Sequence, residues 1–328
     1  MTLDELAKRI DAQLVGGEGK TEISSIAPID SAKPGQVAFL SNPKYAKELE
    51  STKASAVIVS TKIQANHVPL LKTADPYYAF SQAVVAMHGY RQHSHAGVHP
   101  KAHVEPSARI GERTIIYPGA YVGGNVVIGV DCIIYPNAVI YDDTIVGDRV
   151  VIHSCAVIGV DGFGFASHDG THHKIPQVGR VVLEDDVEIG PCCSIERGAL
   201  EETRIGKGTK MDGLVVIGHG TTIGPHGILV AQVGIAGSAT IGHHVTIGGQ
   251  TGVAGHLKLG DHVTVGGQSG VTTDVDDNSI MLGAPAMPVS HARRVYMIMT
   301  KLPEILQRVR DLESRLQNLE DAGDTPIA

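Results

Sequence analysis

Residues Ile205–Val271 read, six at a time, IGKGTK MDGLVV IGHGTT IGPHGI LVAQVG IAGSAT IGHHVT IGGQTG VAGHLK LGDHVT VGGQSG V. A branched or long apolar residue opens every block, from Ile205, Met211, Ile217 and Ile223 through Leu229, Ile235, Ile241 and Ile247 to Val253, Leu259, Val265 and Val271. A period of six matches neither a helix at 3.6 nor a simple strand at 2. It fits a parallel β-helix whose three faces each take one hexapeptide, with eighteen residues to a coil. Small residues follow the anchors in Ile-Gly, Val-Gly and Ile-Ala pairs, as expected where the chain turns a corner beneath the coil above.

The same phase runs earlier, from Val98 and Val104 every six residues to Ile158. It is lost between Gly159 and Val182, resumes at Leu183, Ile189 and Ile195, then jumps ten residues to Ile205 over Glu196–Thr203. The first break predicts a loop extruded from a corner, which serves either function or contact with a neighbouring subunit. The second predicts a four-residue protrusion.

Outside the repeat, residues 1–97 read as a small α/β domain. Leu3, Leu6, Ala7, Ile10 and Leu14 fall at helical spacing, and Val37–Leu40 and Ala56–Ser60 read as short strands. Between the strands lies Phe39-Leu40-Ser41-Asn42-Pro43-Lys44-Tyr45, an aromatic, an amide and a second aromatic around a proline turn. Aromatics stack on flat bases and amides pair with their polar edges; the plainer alternative is a turn closing a βα unit with both rings in the core. Residues 98–282 form the β-helix. Beyond Gly283-Ala284-Pro285, the segment 283–328 reads as helical: Ile305, Val309, Leu312, Leu316 and Leu319 make a two-heptad seam, too short to stand without sister chains. Arg293, Arg294, Lys301, Arg308 and Arg310 give this end a basic bias, either a solvated face or a dock for an acidic carrier.

Thirty-nine glycines, no tryptophan and four phenylalanines suit a solenoid filled by Ile and Val. A net charge of −8 argues against nucleic acid as a partner. Cys132, Cys155, Cys192 and Cys193 contain no CxxC pair and read as reduced packing residues. The amino terminus lacks the apolar segment of a secretory signal, and no stretch is long and apolar enough to span a bilayer, so a cytoplasmic protein is expected.

The eighteen-residue coil places side chains. His219 stands in a column with Gly237 and Gly255, which leave a groove above it, and His256 lies two coils plus one position on, roughly 10 Å higher. An imidazole, with an ordinary pKa near 6.5, is suited to take a proton at neutral pH, and glycine amides beside a groove supply oxyanion donors. The bland reading is that one of seventeen histidines is a surface residue. His226, His244 and His262 form another column and resemble the start of a zinc site. Like side chains on one outer face point the same way rather than toward a common centre, so no metal is expected.

Phe39–Tyr45, Gly159-Val160-Asp161-Gly162-Phe163-Gly164-Phe165, Lys174–Arg180, Arg197-Gly198-Ala199-Leu200 and Gln232–Ser238 together resemble the UDP-3-O-(3-hydroxyacyl)glucosamine N-acyltransferases of lipid A biosynthesis, over nearly the whole chain and in the right order. The resemblance implies a homotrimer of left-handed parallel β-helices (the hexapeptide-repeat fold) with an N-terminal uridine-nucleotide-binding domain and C-terminal α-helices. It implies transfer of a 3-hydroxyacyl group from acyl carrier protein to the 2-amine of a UDP-amino sugar, with no cofactor beyond the carrier's phosphopantetheine. By the same resemblance His219 is the general base, Asp212 orients and polarises it, His256 positions substrate or stabilises charge, the Gly237 amide faces the oxyanion, and Phe39, Asn42 and Tyr45 hold the uracil. The chain departs from the pattern where Asp-Asn reads Asp212-Gly213, Ala-His-Asn reads Gly218-His219-Gly220, and Asp-Arg-Gly reads Glu196-Arg197-Gly198. A catalytically silent nucleotide-sugar scaffold is the alternative those glycines permit. A UDP-sugar O-acyltransferase or an N-acetyltransferase is the enzymatic alternative, and neither accounts for the amino-terminal segment.

Overall fold

A computed structural model describes residues 1–283 and 287–323, with side chains for all of these but Pro43 and residues 318–323. The chain divides into two compact units, one of Met1–Ser94 and one beginning at His95.

In the first unit, helix α1 (Leu3–Arg9) opens with a capping box: Thr2 Oγ1 accepts the Glu5 N–H and the Glu5 carboxylate accepts the Thr2 N–H. Strands β1 (Gln13–Val15), β2 (Ser25–Ile26), β3 (Gln36–Leu40), β4 (Ala56–Ser60) and β5 (Leu70–Thr73) form one sheet in the order β1-β5-β4-β3-β2, parallel except where β1 runs against β5. Helix α2 (Pro76–His88) follows, capped by Asp75. Strand β4 is apolar from Ala56 to Val59 because both its faces are covered there. Ala56 and Ile58 pack with Leu3, Leu6, Ala79 and Ala83, while Val57 and Val59 pack with Leu49 and Val68 on the other side.

The second unit is the hexapeptide solenoid, whose described residues form three parallel sheets of eight, nine and nine strands. Most strands are two residues long: the anchor is buried and the residue before it faces out, as in Val216–Ile217, Thr222–Ile223 and Thr240–Ile241. Strands pair eighteen residues apart, Thr222 with Thr240 and Ile223 with Ile241, so the anchors fuse into one buried column from Ile116 to Val275.

Corners explain both the glycines and many of the histidines. A Cβ on Gly224 would fall 2.6 Å from the carbonyl carbon of Gly242 in the next coil, too close for any side chain there. Further round each corner a residue takes the left-handed conformation, at φ 59° for His226, 55° for His244, 61° for His256 and 58° for His262. That conformation costs an L-residue about 1–2 kcal/mol, and Asn, Asp and His are enriched there. Bonds to the coil below offset it: the His244 N–H donates to the Pro225 carbonyl at 2.8 Å and the His262 N–H to the His243 carbonyl at 2.9 Å.

The phase breaks are more ordered than the loop and bump expected. Phe165–His168 and Thr171–Lys174 pair as an antiparallel hairpin, turned at Asp169 and Gly170, both at positive φ as a two-residue type I′ turn requires. Arg180–Leu183 pairs over four residues with Glu202–Ile205, so the two insertions lie side by side. Two of the cysteines correct the packing reading: Cys132 and Cys193 are buried, and burial pushes both thiols up, but Cys155 and Cys192 are exposed at corner positions with φ 62° and 57°.

Helices α3 (Val289–Met299) and α4 (Leu302–Gly323) end the described chain. Ile305, Val309, Leu312 and Leu316 are exposed along α4, whereas the side chain of Leu319 and the expected boundary residues Ala284, Pro285 and Ala286 lie outside the described residues. Among the described residues no helix is long and apolar enough to cross a membrane.

Candidate active site

His219 sits half-buried at the corner between strands Val216–Ile217 and Thr222–Ile223. Its backbone is held from three sides. The His219 N–H donates to Glu196 Oε2 at 3.0 Å, its carbonyl accepts the Ser238 N–H at 2.8 Å, and the next amide, of Gly220, donates to Thr203 Oγ1 at 2.8 Å. The second protrusion therefore fixes the corner from below.

The ring is placed by two glycines. A Cβ on Gly237 would fall 2.7 Å from His219 Nε2 and 2.8 Å from Cε1. A Cβ on Gly162, in the first insertion, would fall 2.7 Å from His219 Cβ and 2.8 Å from Gln177 Oε1. Only hydrogen at both positions lets the imidazole lie where it does. Gln177 is buried, its Nε2 donates to the Ile175 carbonyl at 3.1 Å, and its Oε1 has no partner among the described residues. Neither Gly162 nor Gln177 received a role from sequence; both fall inside the motifs Gly159–Phe165 and Lys174–Arg180, the one signal that could have marked them.

Arg197 anchors the root of that insertion. Its buried guanidinium donates to the Gly159 carbonyl at 2.7 Å and to both carboxylate oxygens of Asp142 at 3.1 and 3.3 Å. Burial works to raise the Asp142 carboxyl, but the hydrogen bonds and charge of Arg197 outweigh it and hold the group below its ordinary range.

The remaining expected site residues gather only in part. His256 is exposed, and its N–H donates to the Gly237 carbonyl at 3.1 Å, so His219 and His256 both meet Gly237. The Gly237 N–H finds no acceptor among the described residues. Asp212 is different: it follows strand Lys210–Met211 at the preceding corner, its Oδ1 accepts the Gly213 N–H at 2.7 Å, and no hydrogen bond joins it to His219 among the described residues. One chain alone does not assemble that pair.

Beside His219 runs a trough of about 450 Å³. The outward positions of three successive strands on one face, Gly234, Gly252 and Gly270, are all glycine, with no atom within 4 Å of where each Cβ would stand. Val216, three residues before His219, lies at one end, and Ala236 and Ala254 line the side. The walls suit an alkyl chain. An imidazole able to take a proton, an unpaired amide N–H beside it and an adjoining apolar trough are the parts of an acyl-transfer site.

In the first unit Phe39, Asn42 and Tyr45 line one cavity of about 360 Å³. Phe39 stacks on Phe80 with ring centres 3.9 Å apart, which fixes its plane. Asn42 Oδ1 caps the 3₁₀ segment Pro43–Glu50 by accepting the Lys44 N–H at 3.0 Å, leaving its Nδ2 to donate elsewhere.

Known proteins resemble this chain throughout. Residues 20–85 match the family model described as UDP-3-O-(3-hydroxymyristoyl) glucosamine N-acyltransferase, and residues 125–159 match the bacterial transferase hexapeptide model. The UDP-3-O-acylglucosamine N-acyltransferase of Syntrophotalea carbinolica is 51% identical over 97% of this chain and 98% of its own length. That of Methylacidiphilum infernorum is 47% identical over 95% and 93%. Among solved structures, the UDP-N-acetylglucosamine O-acyltransferase of Moraxella catarrhalis superposes with a TM-score of 0.51 at 30% identity, covering 60% of this chain and 77% of that one.

Proposed function

The chain belongs to the UDP-3-O-acylglucosamine N-acyltransferase family, and from that premise we propose that it moves a 3-hydroxyacyl group from acyl carrier protein to the 2-amine of UDP-3-O-(3-hydroxyacyl)glucosamine, giving UDP-2,3-diacylglucosamine for lipid A in the cytoplasm. The observation that carries the reading is the His219 ring held between Gly162 and Gly237 next to the glycine trough.

In this reading the sugar amine attacks the thioester carbonyl while His219 takes the amine proton. The developing oxyanion accepts the free Gly237 N–H, with His256 beside it. Collapse breaks the carbon–sulfur bond, and His219 returns the proton to the departing thiolate. The acyl chain lies in the trough, and the uracil lies between Phe39 and Tyr45 with Asn42 Nδ2 at its polar edge.

Asp212 and His219 stand at successive corners of one prism, which supports a homotrimer in which Asp212 of the partner subunit meets His219 across a cleft. The exposed apolar seam of α4 and the cations Arg293, Arg294, Lys301, Arg308 and Arg310 support a dock for the acidic carrier near the assembled helices.

Mass spectrometry of product formed from acyl carrier thioester and the UDP-amino sugar tests this. Wild type turns over, and His219→Ala falls by about 10²–10⁴-fold. Equal rates for the two remove the base assignment. Binding of the UDP-sugar without any turnover by wild type supports the silent scaffold instead.

A further inference from the structure

The corner between strands Thr240–Ile241 and Thr246–Ile247, a different corner from that of His219, carries a second cluster of imidazoles. The column argument holds for His226, His244 and His262, whose rings pile up 5.0 and 5.1 Å apart. His243 breaks it. Its ring crosses the column at 87° to His244 and 88° to His262, so it points into the pile rather than along it. His243 Nδ1 reaches 2.9 Å from His244 Nδ1, and one ring nitrogen each from His243, His244 and His262 lie within 4.8 Å of one another.

A second observation concerns Asp261. Its Oδ2 lies 3.0 Å from His243 Nε2, and its Oδ1 accepts the His243 N–H at 2.9 Å. With the Nε2–H donating to Asp261 Oδ2, Nδ1 presents a lone pair to its neighbours. A carboxylate behind the far nitrogen is the usual support of a metal-bound histidine.

We propose that His243, His244 and His262 bind one first-row transition cation of the zinc type, with Asp261 orienting His243 and water completing the coordination. Zinc–nitrogen bonds of about 2.0–2.1 Å put tetrahedral ligands roughly 3.4 Å apart, between the 2.9 Å and 4.8 Å found here. Side-chain rotation of about an ångström therefore closes the site. All-imidazole donors select zinc, nickel or copper over magnesium or calcium. Because His243 and His244 belong to one coil and His262 to the next, the ion clasps successive coils.

The test uses the full chain with any affinity tag removed and metals stripped by chelator, titrated with Zn²⁺ by calorimetry and with Co²⁺ by visible absorption. One saturable ion per chain is expected at this corner. His243→Gln and His262→Asn each weaken it at least tenfold, and Asp261→Asn weakens it by about 10- to 100-fold. Asparagine suits the left-handed φ of position 262, so circular dichroism and acyl transfer in chelator stay as in wild type and certify the fold. Absence of saturable binding, or equal stoichiometry and affinity in wild type and both histidine variants, overturns the site, as does an equal response to Mg²⁺.

Discussion

His219 lies against Gly237 of the coil above, so near that a methyl group on the glycine would stand 2.7 Å from Nε2 and 2.8 Å from Cε1. Column spacing alone puts the two residues eighteen apart on one face; contact at this distance makes the glycine a condition for the ring's position.

Gly237→Ala therefore displaces the imidazole rather than unfolding the prism. A shift of the order of 1 Å in a reacting group costs about 10² in rate, and kcat is expected to fall by that factor with little change in melting temperature. Gly227→Ala, whose methyl would meet nothing nearer than 3.4 Å and which lines neither the His219 corner nor the trough, is the control and keeps its rate. Single-turnover kinetics on the two variants decide the matter: equal rates mean the ring tolerates displacement and is not poised by Gly237.

An acyl chain lying in the glycine trough has its length limited by the open glycine positions. Gly252→Leu introduces a side chain where none is opposed, so thermal stability stays within about 0.5 kcal/mol, as for a surface substitution. Transfer of long acyl groups falls steeply while short ones are still accepted. A competition assay with carrier thioesters of graded length measures the ratio, and an unchanged preference places the chain elsewhere.

These relationships were unequally legible in the sequence. The pairing of Ile223 with Ile241 follows from hexapeptide arithmetic, because each anchor must fill the same interior column. The hairpin turned at Asp169-Gly170 was legible too, since that dipeptide is a type I′ signal, but lost hydrophobic phase drew the reading to a loop. Gly162 was out of reach: it meets His219 from 57 residues away, with Gln177 packed beside it, through a segment without a period, so no spacing rule predicts the contact. His243 lies outside the eighteen-residue column, one position before His244, so column spacing alone does not bring it into the cluster.

Arg197 and Asp142 tie the first insertion to the prism, and their ion pair responds to acid. Asp142 has a folded pKa below its ordinary value of 3.8. Its contribution is thus fully present above that value and is lost as pH falls through the lower folded value. Chemical denaturation between pH 7 and pH 3 is expected to show a loss of stability at the acid end that Asp142→Asn lacks. Arg197→Met, which strands the Gly159 carbonyl and Asp142, lowers stability at pH 7 by about 1–3 kcal/mol and lowers kcat with it, since the insertion carries Gly162. Parallel pH profiles for wild type and Asp142→Asn dismiss the pair as a contributor.

Asn42 separates a structural role from a recognition role by atom. Its Oδ1 caps the turn at Lys44, while its Nδ2 is the donor left for a base edge. Asn42→Asp keeps an acceptor for the cap and removes the donor, so the melting temperature holds while KM for the UDP-sugar rises about tenfold, the equivalent of one hydrogen bond of roughly 1.4 kcal/mol. Asn42→Ala loses both and additionally destabilises the amino-terminal unit by about 1 kcal/mol, the usual cost of a lost cap. Because the first substitution leaves the turn intact, a KM unchanged in Asn42→Asp cannot be blamed on misfolding and removes the amide from uracil recognition.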